Sequence, residues 1–165
     1  MRHENSLRFI VFLVCLLLSP GCQSMRNSKA ARILTDGGNA KIELHNFVGA
    51  IVDFDQAIKL APKFAAAYDG RSLAKRRMHD LTGALADAER AVILDPKNPS
   101  AWKNRGGAKQ EQGDLSGALA DYEKVIALDP NYQLVYNNRG NIKTALGDFD
   151  GGTRRIPKIY RVESK

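Results

Sequence analysis

The chain has 165 residues, of which 44% are hydrophobic, a content that supports a folded core and excludes a wholly disordered chain. Most of its net charge of +7 comes from the last thirteen residues, which contribute +4, because residues 22–152 carry 18 basic against 16 acidic side chains. The folded body therefore lacks the strong positive charge typical of nucleic-acid-binding domains. The two cysteines, Cys15 and Cys22, are too few for a disulfide framework or a cysteine-based zinc site.

The first predicted element is an export signal over residues 1–21. Ten uninterrupted apolar residues, 9–18, follow Arg2 and Arg8 and precede the small-residue exit Ser19-Pro20-Gly21. This order is typical of a secretory signal peptide. Ten residues rise only about 15 Å as a helix, about half the hydrocarbon core of a bilayer, so the stretch is too short for a stable span. The alternative is a buried helix of the fold.

Cys22 directly follows this exit. The segment Leu18-Ser19-Pro20-Gly21-Cys22 resembles the lipobox of bacterial lipoproteins, although Ser19 stands where that family prefers leucine. The resemblance implies a Cys22 that is lipidated, becomes the first mature residue and anchors the chain to a membrane. Because Gln23 follows, it implies the periplasmic side of the outer membrane. The alternative is ordinary cleavage at the same bond, which leaves a soluble periplasmic or secreted chain. Residues 22–30 are polar and are predicted to form a tether.

From residue 31 onwards the sequence repeats with a period of 34 residues. Each unit is predicted to contain two helices, because apolar and small residues recur at i, i+4 and i+7 on either side of a turn such as Gly113-Asp114. Ser116, Thr82 and Asp150 are the predicted N-caps of the second helices. The columns that define the period are Pro62/Pro96/Pro130, Leu34/Tyr68/Trp102/Tyr136, Gly38/Ser72/Gly106/Gly140 and Ala50/Ala84/Ala118/Gly152.

Trp102, Gly106, Ala118, Tyr122 and Pro130, at this spacing, resemble the tetratricopeptide repeat. The resemblance covers about residues 31–151. It implies an all-α fold, a right-handed superhelical solenoid of helix-turn-helix hairpins with three full repeats and a partial fourth. The predicted segments are repeats at 31–64, 65–98 and 99–132, a capping helix of the fourth repeat at 133–151 and a basic tail at 152–165.

Charged residues recur in columns where the family usually has apolar residues or tyrosine. We interpret them as a ladder of ion pairs inside the stack, since residues repeated in every unit usually serve the repeat. The alternative is a basic ligand site. The columns are Arg71/Arg105/Arg139, Lys41/Lys75/Lys109/Lys143 and Asp53/Asp87/Asp121.

The repeat pattern stops after Gly151. Pro157 would interrupt a second helix of the fourth unit. One interpretation is a solvating end, in which the first helix of this unit caps the stack. The other is a frameshifted or truncated reading frame, which would be supported if another frame continued the repeat.

Residues with catalytic or metal-binding chemistry do not form a recognisable motif. His45 and His79 lie one period apart at a turn position, where we expect them to be exposed rather than to bind a metal. We expect no enzymatic activity, no cofactor and no metal.

The family resemblance implies that the first helices of the units line a concave groove for an extended peptide or a partner helix. Lysine, asparagine and arginine residues form the clamp of chaperone-binding relatives, and because Thr35, Gly70 and Ser100 occupy matching places we expect no recognition of a chaperone C-terminus. The basic run Lys75-Arg76-Arg77 is interpreted as a contact for acidic residues of a partner, or alternatively as a solvated helix end. The predicted groove residues are Asn39, Asp69, Arg76, Arg77, Lys103, Gln110, Asn137 and Asn141.

The sequence thus favours a non-catalytic protein-interaction scaffold of the cell envelope. Its expected partners are an envelope protein and, through the lipid on Cys22, the membrane, without nucleic acid or a small-molecule substrate. The alternatives are a non-catalytic subunit that positions an enzyme, and a truncated repeat relic.

Overall fold

A computed structural model describes residues 20–147, and all regular structure in this range is α-helical. This confirms the predicted all-helical repeat fold. The predicted signal up to Ser19, the end of the fourth repeat at 148–151 and the basic tail lie outside the described residues. The helices are α1 (Pro20–Glu43), α2 (Phe47–Leu60), α3 (Ala65–Arg77), α4 (Leu81–Leu94), α5 (Pro99–Glu111), α6 (Leu115–Leu128) and α7 (Gln133–Ala145).

The helices form hairpins that stack along one direction. The most extensive packing is within the pairs α1–α2, α3–α4 and α5–α6, and each pair contacts the next through α2–α3, α4–α5 and α6–α7. The first helices also contact one another directly, α1 with α3 and α3 with α5. One face of the stack is therefore built from first helices. No helix within residues 20–147 is both long and apolar enough to cross a bilayer.

The core joins small residues on one helix to an aromatic ring on its partner. A Cβ atom added to Gly106 of α5 would lie 2.8 Å from Cε1 of Tyr122 in α6, and one added to Gly38 of α1 would lie 2.7 Å from Cε1 of Phe54 in α2. Both rings are fully buried. The column of small residues therefore sets how closely the two helices of a hairpin approach, as the sequence predicted for Gly106.

The N-caps of the second helices lie two residues earlier than the sequence predicted. Asp80 and Asp114 cap α4 and α6 by accepting hydrogen bonds from the backbone N–H of Gly83 and Gly117, each at 2.9 Å. The predicted caps Thr82 and Ser116 instead lie inside the first turn. The predicted cap Asp150 lies outside the described residues.

The earlier start of these helices has a local cause. The residue before each capping aspartate lies in the left-handed region of the backbone, with φ +61° at His79 and +89° at Gly113. That conformation ends the first helix and places the aspartate at once in the capping position. His45, with φ +57°, occupies the same turn of the first unit, and all three residues are exposed.

The first helix begins well before the first repeat. The sequence assigned residues 22–30 to a polar tether, whereas α1 runs through them from Pro20. Proline is tolerated in the first turn of a helix, and local side-chain bonds are compatible with the helical conformation that follows. Gln23 Nε2 donates to Asn27 Oδ1 at 3.0 Å, and Ser28 Oγ donates to the carbonyl of Ser24 at 3.0 Å.

A buried carboxylate with two cations joins α5 to α6. Asp121 accepts hydrogen bonds from Arg105 at 2.9 Å and 2.5 Å, and Lys109 Nζ lies 3.0 Å from its Oδ2. The Asp121 side chain is only 3% exposed. Its hydrogen bonds to Arg105 raise the pKa of that guanidinium, which stays charged although burial opposes it.

The same arrangement recurs in the second hairpin and, with a lysine alone, in the first. Asp87 accepts two hydrogen bonds from Arg71, at 2.8 Å and 2.6 Å, and lies 2.8 Å from Lys75 Nζ. In the first hairpin, Lys41 Nζ lies 2.6 Å from Asp53 Oδ2. The predicted ladder of ion pairs is thereby confirmed in the three hairpins that the structure describes, where these charged residues serve the repeat.

The left-handed histidines give a prediction about stability. We expect His79→Gly to raise the free energy of unfolding by about 1 kcal/mol, because a residue with a Cβ atom is disfavoured in this conformation and glycine is not. Urea unfolding measures this as a higher midpoint with an unchanged m-value. The matched reverse change, Gly113→His, should lower the midpoint. A lower midpoint for His79→Gly would contradict the assignment of strain to this turn.

Candidate partner-binding groove

A groove of about 390 Å³ lies between the first helices α3, α5 and α7. Its lining residues belong to these first helices, except for Tyr122, whose ring reaches the groove from the second helix α6. Its lining is mostly polar and carries more positive than negative groups. The lining residues are Arg76, Arg77, Lys103, Gly107, Gln110, Glu111, Tyr122, Leu134, Asn137 and Asn138.

Three cations from two helices meet in this groove. Arg76 at the end of α3 reaches α5, where its Nη1 lies 2.5 Å from Glu111 Oε1. Gly107 lies against this crossing, where an added Cβ atom would be in ordinary van der Waals contact with the guanidinium carbon of Arg76 at 3.4 Å. Arg77 is exposed, and Lys103 Nζ lies 5.9 Å from the ring centre of Tyr132. Within residues 20–147, neither Arg77 nor Lys103 has an ion-pair partner.

Side chains that can both donate and accept hydrogen bonds complete the wall. Gln110 Oε1 accepts a hydrogen bond of 2.9 Å from the hydroxyl of Tyr122, so the amide nitrogen of Gln110 is left as a donor. Asn137 and Asn138 of α7 supply two further amides. Amides of this kind match the donors and acceptors of a peptide backbone.

Five of the eight predicted groove residues meet here, namely Arg76, Arg77, Lys103, Gln110 and Asn137. The sequence did not select Asn138 or the Tyr122 hydroxyl. Asn138 carried a usable signal, because it lies one period after Asn104, a buried residue on the same side of α5. The Tyr122 ring was correctly assigned to the core, and its hydroxyl reaches the groove only because the ring crosses beneath Gly106.

The other three predicted residues lie apart from this groove. Asn39 on α1 and Asn141 on α7 are exposed. Asp69 of α3 is engaged inside the stack, where it accepts hydrogen bonds from Ser100 Oγ at 2.8 Å and Asn104 Nδ2 at 2.6 Å of α5. Its carboxylate joins two first helices.

Burial raises the pKa of Asp69, because desolvation outweighs the lowering effect of its hydrogen bonds and of the nearby Lys103 charge. The Asp69 carboxylate has lost hydration and forms no ion pair among the described residues, and its hydrogen-bond donors, Ser100 and Asn104, are both neutral. The hydrogen bonds from Ser100 and Asn104 favour the ionised carboxylate, so the loss of hydration, and not this contact between α3 and α5, opposes ionisation.

A larger cavity, of about 650 Å³, lies between the start of α1 and the turn that joins α2 to α3. Its lining contains a single charged side chain, Lys63, and otherwise small polar or apolar residues. Size alone does not make it the better site, because convergent charged and polar groups are what orient a ligand. The groove between α3, α5 and α7 has such groups.

Comparison with known proteins agrees with this architecture. A tetratricopeptide repeat model matches residues 71–136. The first TPR domain of human RPAP3 is 27% identical over 71% of this chain and 92% of its own, with a TM-score of 0.69. The first TPR of Spaghetti (RPAP3), bound to the HSP90 peptide SRMEEVD, is 28% identical over 72% and 97%, with a TM-score of 0.70.

The Sgt2 TPR domain from Aspergillus fumigatus is also similar, 28% identical over 69% of this chain and 77% of its own, with a TM-score of 0.66. A search of curated proteins finds no match. The helix hairpins described above therefore form the tetratricopeptide-repeat fold.

The raised pKa of Asp69 gives a prediction about the pH dependence of stability. Because the folded-state pKa of Asp69 is raised, its contribution to stability is full below the unfolded value of 3.8 and is lost as the pH rises through the folded value. Asp69→Asn has no such titration. The unfolding free energy of the variant, minus that of the parent, should therefore increase between about pH 4 and about pH 7. Urea unfolding at both pH values measures this difference. A difference that falls as the pH rises would contradict a raised pKa for the desolvated Asp69 carboxylate.

Proposed function

We propose that the chain is a non-catalytic protein-interaction scaffold, and that the groove between α3, α5 and α7 binds an extended acidic segment of a partner protein. The observation that supports this is the meeting of Arg76, Arg77 and Lys103 in one groove that contains a single carboxylate, Glu111. Two of these cations have no ion-pair partner in the part of the chain that the structure describes. An acidic segment would supply the missing counter-charges.

The shape and polarity of the groove favour a peptide over a small metabolite. Its walls come mainly from three first helices, and its amide side chains lie on two of them, α5 and α7. Gln110 of α5 and Asn137 of α7 can bond to successive backbone groups of an extended ligand, while the cations bind its acidic side chains. The similar Spaghetti domain holds a peptide, SRMEEVD, which contains two adjacent glutamates.

The acidic side chains, rather than a free C-terminus, are the groups we expect this groove to recognise. The positions that match the two-carboxylate clamp of chaperone-binding relatives hold Thr35, Gly70 and Ser100. Thr35 is buried and donates to the carbonyl of Ala31 at 2.9 Å, and Ser100 donates to Asp69. A clamp at these places would lack its cations.

We further propose that the scaffold works in the cell envelope, anchored by a lipid on Cys22. The support is the order of basic, apolar and small residues in 2–21, followed by this cysteine. A lipid anchor raises the local concentration of a weakly binding groove relative to membrane-associated partners. Without the lipid, the same signal would deliver a soluble scaffold to the same compartment.

The groove is tested by pull-down from an envelope extract with the mature chain. We expect a saturable partner whose binding weakens about tenfold or more in Arg76→Ala/Arg77→Ala, because charge-assisted hydrogen bonds are lost, and weakens as salt is raised. The matched control is Arg90→Ala, an exposed arginine of α4 outside the groove. Retained binding in the double variant would contradict groove recognition, and a stoichiometric complex with an enzyme would favour a positioning subunit.

The anchor is tested by intact-mass measurement of the mature chain from the envelope. We expect an N-terminus at Cys22 with the added mass of acyl chains, and Cys22→Ser should move the chain from the membrane to the soluble fraction. Cys15→Ser is the matched control, because Cys15 leaves with the signal. An unmodified cysteine at the mature N-terminus would rule out the anchor.

A further inference from the structure

The last described helix repeats the surface with which α5 binds α6. In α5 this surface is Trp102, Arg105, Gly106 and Lys109. One period later, α7 carries the equivalent surface, which we call the end face. The end face consists of Tyr136, Arg139, Gly140 and Lys143.

The end face has the same conformation as its counterpart in α5. The hydroxyl of Tyr136 donates to the carbonyl of Pro130 at 2.8 Å, as Trp102 Nε1 donates to that of Pro96 at 2.9 Å. The Arg139 guanidinium lies 5.4 Å from the ring centre of Tyr136, as the corresponding arginine of α5 lies 4.6 Å from its tryptophan ring. The Tyr136 ring therefore orients the Arg139 guanidinium as the Trp102 ring orients that of Arg105.

What differs is the partner across the hairpin. In α5 the arginine and lysine share the carboxylate of Asp121. In the part of the chain that the structure describes, Arg139 pairs with Glu123 of the preceding unit, with Nη1 and Oε1 3.5 Å apart, just as Arg71 pairs with Asp55. Among residues 20–147, no carboxylate stands opposite the pair Arg139 and Lys143.

Space for a ring is present as well. Within residues 20–147, a Cβ atom added to Gly140 would meet nothing within 4 Å, whereas one added to Gly106 would collide with the ring of Tyr122. The end face thus has the two features with which α5 binds α6. These are a pair of cations that can share one carboxylate, and a glycine on which one aromatic ring can pack.

The sequence that follows does not supply the missing groups in register. The 34-residue period places Arg155 and Ile156 where Asp121 and Tyr122 stand, and Pro157 comes next. A third cation opposite Arg139 and Lys143 would be repelled, and proline disfavours a continuing helix.

We propose that the end face binds, in trans, an amphipathic helix of a partner protein that presents an acidic residue immediately followed by an aromatic residue. The carboxylate of this helix takes the place of Asp121 between the two cations, and the aromatic ring packs on Gly140. The order acid–aromatic is the order in which Asp53-Phe54 and Asp121-Tyr122 fill the same positions inside the stack. This surface is separate from the groove and its proposal does not depend on it.

The probe is a fluorescein-labelled peptide with the sequence of residues 113–130 of this chain, which contains all of α6. It is titrated with the full mature chain, and binding is measured by anisotropy. We expect saturable binding of one peptide per chain. Changing the peptide at its own copy of Asp121 to Asn, or at its copy of Tyr122 to Ala, should weaken binding roughly tenfold or more.

Two variants of the chain test the same contacts from the other side. Lys143→Glu should abolish the binding of the parent peptide and restore binding to a peptide with Lys in place of Asp121.

Gly140→Ala should stabilise the chain, because alanine favours the helix and its Cβ atom meets open space, yet it should weaken peptide binding by displacing the ring. A merely structural role for this glycine would not give these opposite effects. Arg76→Ala/Arg77→Ala, altered only in the groove, is the matched control and should bind the peptide like the parent.

Three results would overturn the proposal. One is peptide binding that is absent or indifferent to the carboxylate. Another is binding that appears only after residues 152–165 are removed, which would make the chain's own tail the occupant. The last is self-association of the chain that Lys143→Glu abolishes, measured by light scattering, which would make a second copy the occupant.

Discussion

The stack depends on one interaction, the ion pairing of a buried aspartate with an arginine and a lysine of the facing helix. An isolated charge in the interior would be strongly destabilising, and it is tolerated here because each aspartate is paired and hydrogen-bonded. Asp121 and Asp87 each receive a bidentate arginine and a lysine. Because the two helices of a hairpin must be in one register for these bonds to form, the ladder fixes the relative position of the helices, while alanine and glycine allow them to approach.

This pairing also divides the basic residues of α3 into those that join the helices of a hairpin and those that line the groove. Lys75, Arg76 and Arg77 are consecutive, so α3 presents them in three directions. Lys75 faces α4 and pairs with Asp87, whereas Arg76 crosses to Glu111 on α5 and Arg77 is exposed beside the groove. The sequence left open whether this run was a binding surface or a solvated helix end. Its first member belongs to the ladder, and its second lies in a groove wall, so neither alternative describes the run as a whole.

The sequence predicted what the period controls. Columns such as Gly106 with Tyr122, and Lys109 with Asp121, recur every 34 residues, so their contacts follow once one hairpin is understood. The parts that break the period were not predictable in this way. Asp69 has no counterpart acid in its column, and its bonds to Ser100 and Asn104 depend on the rotation between hairpins, which a single unit does not encode.

Local competition decided the remaining differences. Ser116 and Asp114 are both good N-cap residues, and the choice between them depends on the backbone of Gly113, which bends the chain early enough to give the aspartate the capping position. In the same way, the polar residues before Ala31 are compatible with either a tether or a helix. They continue α1 because no strong breaker separates them from it.

The two proposed surfaces are linked through α7. In a stack of repeats each unit is stabilised mainly by its neighbours, and α7 is the last helix of the stack that the structure describes. The described α7 packs on α6 and leaves Leu134 66% exposed and Tyr136 36% exposed. Yet Leu134, Asn137 and Asn138 of the same helix form one wall of the groove. The proposed helix at the end face and the proposed ligand of the groove would therefore both contact α7, through different side chains.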